Sequence, residues 1–374
     1  MQVTDRIAAL RGEMEREGID IWIVPSADYH QSEYVGSYFK TRQYMTGFTG
    51  SAGTAVFTRD KACLWTDGRY FIQAENELKG SGIVLCRIGE PECDTIEAFL
   101  KKELPENGVI GFDGRTVGIG EGKHYEDLAA LKSGTVSCEL DLVGRIWEDR
   151  PRMPEEKAFA LDEKYTGESA ASKLGRVRGK MEELGADIHL LTSLDDIAWL
   201  LNIRGNDIAY CPLVLSYLIL YMDCGILFAE EKKFSSEMKA ALTGNGIRIR
   251  PYDEVQEAVS ALPASSCVML DPDRVNYALY RRLPENIEVR EAENPEVLMK
   301  CMKNDTEIEN TKKAHIKDAV AHTRFMYWLK KNIGKQEITE ISAAEKLEDF
   351  RREQGGYLEA RSAMAARTSP DSAL

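Results

Sequence analysis

Three side chains on one predicted helix have the types and the spacing that a zinc site requires. His315, Asp318 and His322 form the pattern H-x-x-D-x-x-x-H, which puts two imidazoles and a carboxylate on one helical face, and all three groups are zinc ligands in proteins. Lysines flank the set, however, and no glutamate takes the general-base position of an H-E-x-x-H motif. We therefore favour a partly exposed helix face that packs against a neighbour, with a metal site as the alternative.

A second candidate is the polar and aromatic run DYHQSEY at residues 28–34. It follows a predicted strand, and the carboxyl ends of strands in α/β sheets are common ligand positions. Asp28, His30 and Glu33 have the chemistry to receive a cationic group such as a peptide amine. A solvated loop is an equally weighted alternative.

The third candidate is the stretch LDDIAWLLNIRGNDIAYCPLVLSY at residues 194–217. An apolar run over residues 197–201 leads into a polar turn that holds Arg204, Asn206 and Asp207, and a strand is predicted from Leu213 onward. Packing alone does not require this cluster between two buried segments. The preferred interpretation is a well-capped turn, and the alternatives are a tie between two domains or a set of side chains that point into a cleft.

Other catalytic motifs are not supported. The glycine-rich TGFTGSAGT at residues 46–54 lacks the lysine and the spacing of a phosphate-binding loop, so its glycines are interpreted as turn and tight-packing positions. None of the five histidines has a nucleophile signature beside it.

Composition narrows the class of protein. A chain of 374 residues is long enough for two or three domains. Its net charge of -14 argues against nucleic acid as a partner, because phosphate binding needs basic patches. The sequence contains neither a secretory leader nor an apolar run that could span a bilayer, so no membrane partner is expected. Eight scattered cysteines without a C-x-x-C pair are typical of a reducing cytoplasm, which is the predicted location.

Hydrophobic periodicity predicts alternating helices and strands, which is the pattern of an α/β fold. Helices are predicted at residues 5–18 and 70–78, and strands at residues 19–24, 54–58, 62–66, 83–88, 109–112 and 136–142. The second and third of these strands are joined by a three-residue turn and form a predicted hairpin.

The chain also repeats itself. RGEMEREGIDIWIVPS at residues 11–26 aligns without gaps on RGKMEELGADIHLLTS at residues 178–193, and eight of the sixteen positions are identical. The order of elements after each copy is similar, which predicts two related α/β domains in tandem.

Two changes of texture suggest the boundaries. GRIWEDRPRMP at residues 144–154 combines prolines with dense charge and is interpreted as a linker. After Asn294 and Pro295 the chain is predicted to be helical, with a capping box at Thr306 and Glu309, a helix end at Gly334, and a second helix from about Thr339. The predicted domains are residues 1–148, 155–298 and 299–374, and the third domain is begun without being completed.

Long motifs resemble one known family. DYHQSEYV, GFTGSAGTAVF and LWTDGRYFIQAENEL resemble the N-terminal domain of the long, three-domain Xaa-Pro aminopeptidases (aminopeptidase P). The 194–217 stretch is similar to their second domain. KNDTEIENTKKAHIKDAVAHTRFMYWLKK and TEISAAEKLEDFRREQGGYLEARS resemble the opening helices of their catalytic domain.

The resemblance implies a fold and a chemistry. The expected fold has two tandem creatinase-like N-terminal domains, each a mixed sheet with flanking helices, followed by the opening helices of an incomplete α+β pita-bread domain. In the family, two divalent metals, usually manganese, sit between two aspartates, one histidine and two glutamates, and activate the water that cleaves the bond before proline. All five ligands come later than the segment matched here. Residues 368–374 correspond only loosely to a later family motif, so no metal ligand and no catalytic residue is carried over.

Five residues remain as substrate-cleft candidates by resemblance: Tyr29, His30, Glu33, Arg69 and Arg204. For each of them the alternative is an interface salt bridge or a cap. The expected substrates are peptides with proline in second position, and the expected assembly is a homodimer. As given, the chain is expected to be inactive, bind no metal and have mobile or aggregation-prone residues after about Asn294. The alternative function is a non-catalytic dimerisation or substrate-gating module built from the first two domains.

Overall fold

The computed structural model describes residues 1–357. Its first domain contains six α-helices, six strands and a short 3-10 helix (Ser37–Phe39). The helices are α1 (Val3–Glu17), α2 (Thr41–Thr46), α3 (Phe71–Glu77), α4 (Ile96–Glu103), α5 (Ile119–Ala130) and α6 (Leu142–Ile146). The strands are β1 (Ile21–Pro25), β2 (Thr54–Thr58), β3 (Ala62–Thr66), β4 (Val84–Arg87), β5 (Val109–Phe112) and β6 (Thr135–Ser137).

These strands form one mixed sheet in the order β4-β3-β2-β1-β5-β6. Strand β1 is central and reads as a continuous apolar run, because both of its faces are covered. It pairs antiparallel with β2 and parallel with β5. The predicted hairpin of β2 and β3 is confirmed, and so are the predicted helix and strand on either side of Gly18, which takes the left-handed conformation (φ 68°) that ends α1.

The second domain has the same plan. Its helices and short flanking elements are β7 (Phe159–Ala160), α7 (Glu163–Thr166), α8 (Ala170–Glu183), α9 (Leu194–Leu200), β9 (Ile203–Arg204), α10 (Ser236–Gly244), α11 (Val255–Ser260), α12 (Tyr277–Arg281) and α13 (Pro295–Cys301). Its sheet strands are β8 (Ile188–Leu191), β10 (Tyr217–Tyr221), β11 (Gly225–Phe228), β12 (Ile247–Arg250), β13 (Cys267–Leu270) and β14 (Glu288–Glu291). They pair in the order β12-β11-β10-β8-β13-β14, which matches the first sheet strand for strand.

Two of the identical residues of the sequence repeat, an arginine and an aspartate, make matching contacts in both domains. Arg11 donates from Nε to the carbonyl of Thr58 at the end of β2, and Arg178 donates from Nε to the carbonyl of Tyr221 at the end of β10, each over 3.0 Å. In each copy an aspartate at the start of the central strand also accepts the first amide of the neighbouring parallel strand. These contacts are Asp20 to Val109 at 2.9 Å and Asp187 to Cys267 at 2.8 Å. These contacts show that the repeated residues stabilise the same scaffold in both domains.

Two boundaries differ from the prediction more than the others do. The strand predicted over residues 136–142 ends at Ser137, and Leu142 begins α6, whose N-cap is the side chain of Asp141. Helix α6 includes the first residues of the predicted linker and packs on α1, because Leu142 and Ile146 belong to the apolar core of the first domain. The strand predicted from Leu213 begins only at Tyr217, since the backbone of residues 205–213 turns back on itself through hydrogen bonds such as Asp207 N–H to the Leu213 carbonyl.

Up to residue 357, two helices follow the second domain: α14 (Asp305–Asn332) and α15 (Glu340–Arg352). The predicted capping box at Thr306 and Glu309 is wrong. The box is formed by Asn304 and Glu307, because Asn304 has the extended backbone that an N-cap requires. The predicted start of α15 is confirmed, with Thr339 as its N-cap.

Ala321 is the one fully buried residue along α14, so the helix is more exposed than the predicted packing face implied. The remainder of the third predicted domain after Tyr357, including the correspondence at residues 368–374, lies outside the described residues.

The two domains interlock. Tyr277 at the start of α12 is fully buried against Phe112 and Gly122 of the first domain. Its backbone N–H donates to the Val117 carbonyl (2.8 Å), and the next amide, that of Ala278, donates to the Gly114 carbonyl (2.9 Å). The loop of residues 28–39 in the first domain also packs against the second sheet. We call these two contacts together the seam.

Candidate functional site

The five candidate residues fall in three separate places. Tyr29 and His30 are buried inside the seam, with 4% and 1% of their surface exposed. Glu33 lies on the same loop and is exposed. Arg69 lies on the surface of the first domain, and Arg204 is half-buried in the second domain. Their role as cleft residues stays a prediction.

The loop that carries Tyr29 and His30 is held by its own aspartate. Asp28 is fully buried, and its Oδ1 accepts the backbone N–H groups of His30 and Ser32, each over 2.9 Å. Such a turn fixes the backbone directly after strand β1. It aims the side chain of His30 away from its own domain and into the second one.

His30 uses both ring nitrogens across the seam. Nδ1 lies 2.9 Å from the carbonyl oxygen of Thr192, and Nε2 lies 2.8 Å from the hydroxyl of Tyr252. Because a carbonyl oxygen only accepts, Nδ1 carries a proton. When the ring is neutral, Nε2 is an acceptor for Tyr252, whose single hydroxyl proton is also within 3.3 Å of the Tyr217 hydroxyl. The ring also lies 4.4 Å, centroid to centroid, from that of Tyr217. Burial lowers the pKa of His30 from its ordinary value, although the carboxylate of Asp28 opposes the shift.

Tyr29 lies beside a partly buried charge network. The guanidinium of Arg115 stacks over the Tyr29 ring at 4.3 Å and forms a fork with Asp113, with N–O distances of 2.9 and 2.8 Å. Asp141 accepts from Arg115 at 3.2 Å and from Arg150 at 2.7 Å, so the network also reaches the segment between the domains. Burial raises the pKa of Tyr29 well above its ordinary value, so it stays a neutral phenol.

Arg69 is an exposed cation with a fixed direction. Its Nε and Nη2 both donate to Asp67 at 2.8 Å, and its guanidinium lies 5.2 Å from the centre of the Tyr70 ring. The hydroxyl of Tyr70 in turn meets that of Ser51 at 2.6 Å. The side chain of Arg69 is nevertheless 70% exposed, which leaves the outer edge of its guanidinium open to a ligand.

The glycine-rich loop packs beneath this surface. Buried Arg42 donates to the carbonyls of Phe48 and Gly50, so these oxygens face the protein. A Cβ atom on Gly50 would lie 2.2 Å from the ring of Phe48 and 2.8 Å from that of Tyr70. The predicted packing role of this glycine is confirmed.

Arg204 caps backbone carbonyls of the turn that follows α9. Its Nη1 donates to the carbonyls of Ala198, in the last turn of α9, and Ile203, at 2.7 and 2.8 Å. Its neighbour Asp207 is buried against Lys233, with the Nζ and Oδ2 atoms 2.6 Å apart. The predicted capped turn therefore fits Arg204, and Asp207 belongs to an internal ion pair.

A second buried pair was not found by sequence reasoning. His189 and Glu296 are both fully buried, and Nε2 lies 3.3 Å from Oε2. The ion pair fastens α13 to strand β8, and the nearby carboxylate of Glu296 raises the pKa of His189 despite the opposing effect of burial. The signal lay in the repeat, because His189 aligns with buried Trp22 of the first copy. A polar residue in place of a core tryptophan indicates a buried partner.

The zinc hypothesis finds little support in this geometry. Asp318 is engaged by Arg351 at 2.7 Å, and His315 and His322 are exposed. Among residues 1–357, no group of three or more His, Cys, Asp or Glu side chains is arranged to hold a metal ion. The residues of this helix therefore do not fit a metal centre.

Within residues 1–357, no helix is both long and apolar enough to cross a membrane.

Comparison with protein families gives two matches. The profile of the Creatinase/Prolidase N-terminal domain matches residues 6–140, and a second profile of the same description matches residues 149–307. The structural and the sequence repeat thus correspond to two copies of one kind of domain.

Curated relatives are similar over nearly the whole chain. Identity is 34% to aminopeptidase P2 of Arabidopsis thaliana, 36% to Xaa-Pro aminopeptidase 1 of Dictyostelium discoideum and 34% to Xaa-Pro aminopeptidase 2 of Homo sapiens. The alignments include 91%, 95% and 95% of this chain, but only 53%, 58% and 54% of the relatives. The chain therefore spans little more than half the length of these relatives.

A solved structure agrees with this alignment. The X-prolyl aminopeptidase from Caenorhabditis elegans, described as a cytosolic enzyme with a di-nuclear active site, superposes with a TM-score of 0.90 at 32% identity. The superposition covers 97% of this chain and 62% of that enzyme. Both domains and the helices after them therefore have counterparts there.

Proposed function

Because this chain belongs to the Xaa-Pro aminopeptidase family, we propose that it works in the metal-dependent removal of the N-terminal residue that precedes proline in a peptide. The observation that carries the proposal is the superposition on the C. elegans enzyme, which extends over both domains and into α14 and α15 at a TM-score of 0.90. Domains alone would support only a shared fold. An overlay of this extent at 32% identity also supports a shared arrangement of the two domains.

Within that function, this chain supplies the two domains that gate the active site, together with the first helices of the catalytic domain. We place the family's divalent metals, with manganese as the expected ion, on residues other than 1–357. Support comes from the family resemblance, in which the ligands follow the helices matched here. No catalytic step is assigned to His315, Asp318 or His322, because Asp318 is held by Arg351.

Arg69 is our proposed contact to the peptide. It combines a permanent positive charge, 70% side-chain exposure and a guanidinium direction that Asp67 and Tyr70 fix in advance. A preorganised arginine loses less side-chain entropy on binding a carbonyl or carboxylate than a free one does. Glu33 is the exposed acidic candidate for a peptide amine. We further propose a cytoplasmic location and a homodimer.

The first test is release of arginine from the peptide Arg-Pro-Pro by the purified chain with added manganese. We expect no turnover from a chain whose far-UV circular dichroism is that of a folded α/β protein. Metal-dependent turnover would overturn the placement of the metal ligands, and the variant His322→Ala would then show whether α14 supplies one of them.

The second test addresses Arg69 in an active enzyme. Residues 1–304 of this chain would replace the corresponding part of the C. elegans enzyme, and hydrolysis of Arg-Pro-Pro would be measured. We expect Arg69→Ala to lower kcat/KM at least about tenfold, which is the effect of losing roughly 1.4 kcal/mol of binding. The matched control is Arg59→Ala, because Arg59 is also exposed and paired with an aspartate of the same domain. Equal activity of the two variants would remove Arg69 from the substrate site.

A further inference from the structure

His30 is the one titratable side chain of the residue 28–34 loop that forms side-chain hydrogen bonds on the second domain. Its ring bridges the end of strand β8, through Thr192, and the turn before α11, through Tyr252. The adjoining backbone is fixed to the second domain as well, because the side chain of Asn276 donates to the Tyr29 carbonyl at 2.8 Å. The loop and the second domain therefore share one continuous set of hydrogen bonds around a single imidazole.

The charged groups near this imidazole shift its protonation equilibrium. On its own loop, Asp28 is buried and favours the protonated ring. On the second domain, Lys233 disfavours it, and Lys233 is itself compensated by Asp207. The two other ring neighbours are Tyr217, which is buried, and Tyr252, which is partly buried, and desolvation keeps both phenols neutral.

The balance favours an uncharged ring while the seam is closed. A second proton would place a cation in a site with 1% exposure, and transferring a charge out of water costs more than one nearby carboxylate returns. When the loop leaves the second domain, water solvates the imidazole and this penalty disappears. Closure of the seam and release of the proton are therefore linked.

We propose that His30 is an acid-sensitive lock between the two domains: the seam stays closed while the imidazole is neutral and opens when the imidazole takes up a proton. The direction follows from linkage. Because the closed state binds the proton more weakly than the open state, closure weakens as the pH falls below about 6.5, the ordinary value for a free imidazole. The lock concerns the protein's two-domain unit and does not depend on peptidase activity.

The seam contains its own reporters. The amides of Tyr277 and Ala278 donate across the domain boundary to Val117 and Gly114, so their hydrogen exchange requires the seam to open. The amides of strand β1 lie within the first sheet and report unfolding of that domain instead. Each protection factor is corrected for intrinsic exchange. The ratio of the two factors then distinguishes opening of the seam from unfolding of the first domain.

The experiment compares this ratio at pH 7.5 and pH 5.0 in the full chain and in His30→Gln. In the wild type we expect the seam amides to lose protection relative to β1 by up to about thirtyfold, the limit set by the 1.5 pH units between 6.5 and 5.0. In His30→Gln the ratio should change little between the two pH values. His124→Gln is the matched control, because His124 is a half-exposed histidine of the first domain outside the seam, and this variant should behave as the wild type does.

An unchanged ratio in the wild type, or an equal loss in wild type and His30→Gln, would overturn the proposal. Should His30→Gln fail to close at any pH, the imidazole nitrogens of the wild-type protein decide by NMR. A lock requires the proton on Nδ1 at pH 7.5 and titration of His30 below about 6.5, the ordinary value for a free imidazole. A midpoint at or above that value would contradict it.

Discussion

The ring of Tyr277 lies directly against the α carbon of Gly122, so closely that a Cβ atom at position 122 would come within 2.3 Å of the ring. The two residues belong to different domains, and their surfaces are complementary in shape. The glycine leaves a notch between α5 and strand β5, and the tyrosine fills it with a buried ring that also contacts Phe112. Salt bridges such as Arg281 with Glu126 line the rim of the same contact.

Gly122→Ala should therefore loosen the seam. A rigid aromatic ring cannot yield to a methyl group without moving its backbone, so we expect a loss of roughly 1–3 kcal/mol in the free energy of unfolding, measured by urea denaturation. Gly120→Ala is the control, since no atom lies within 4 Å of its added Cβ. That variant should be neutral or more stable, because alanine favours helix α5 over glycine. Equal stability of the two variants would show that the notch tolerates a side chain.

Lys173 should make stability depend on pH in the alkaline range. Its ammonium is buried on the Trp199 carbonyl and the Asn202 side chain, and burial lowers its pKa to about 8. Between pH 8 and about 10.5 the unfolded chain thus binds more protons than the folded one, and stability rises with pH. From pH 7 to 9.5 the gain should be about 2 kcal/mol.

The variant Lys173→Met should lack this rise, whereas Lys180→Met, which changes an exposed lysine of the same helix, should keep it. Urea titrations at each pH measure the slope. A rise that persists in Lys173→Met would assign it to another group.

The pair of His189 and Glu296 should have the opposite pH dependence. The pKa of this histidine is raised in the folded protein, so its stabilisation is fully present below about pH 6.5 and is lost as the pH rises through the raised value. Glu296→Gln leaves a buried imidazolium without its counter-charge, and we expect it to cost about 3 kcal/mol near pH 6.5.

Glu293→Gln is the matched control, because Glu293 is an exposed glutamate two residues before α13. Thermal or urea unfolding between pH 6 and pH 9 separates the outcomes. If Glu296→Gln were as stable as Glu293→Gln near pH 6.5, the buried pair would contribute nothing.

The repeated arginines should contribute similarly, although Arg178 also donates from Nη2 to the Cys224 carbonyl at 3.2 Å. Arg11→Ala and Arg178→Ala each remove a charged donor from the carbonyl at the end of a strand, over the same 3.0 Å distance. We expect each variant to lose about 1.5–2 kcal/mol, and the two losses to agree within about 1 kcal/mol, measured by urea denaturation. Arg16→Ala, at an exposed side chain of α1, should change stability little. A large loss at one site alone would contradict the shared role.

The sequence predicted those elements correctly that depend on a single local rule, such as apolar alternation or turn chemistry. Strand β5 and the hairpin of β2 and β3 lie at the predicted residues, because alternation and turn chemistry act locally. The predicted capping box failed by two residues, because Thr306 and Asn304 both qualify by type and only backbone conformation distinguishes them. The strand predicted from Leu213 failed because a compact turn takes up residues that are apolar enough for a strand.

The candidate site was less predictable than the fold. Residue types marked His30 and Tyr29, but no pattern in the sequence pairs His30 with Tyr252, which is 222 positions away. The residue type of His30 suits a cleft or an interface equally, and its burial in the seam is visible only in the structure. For Arg69 the partner is local, because Asp67 is only two residues away in the sequence. What the sequence does not show is that the guanidinium stays exposed.

The notch at Gly122 also constrains how the protein is made. The first domain leaves the ribosome before the residue that fills its notch. At about 5–20 residues per second, the roughly 155 residues from Gly122 to Tyr277 take about 8–30 seconds to synthesise. Through that interval the nascent first domain exposes the apolar wall around Phe112, so its final packing waits for α12. A pause in translation before Tyr277 would lengthen this exposure, and the first domain completes its core only after most of the second has been synthesised.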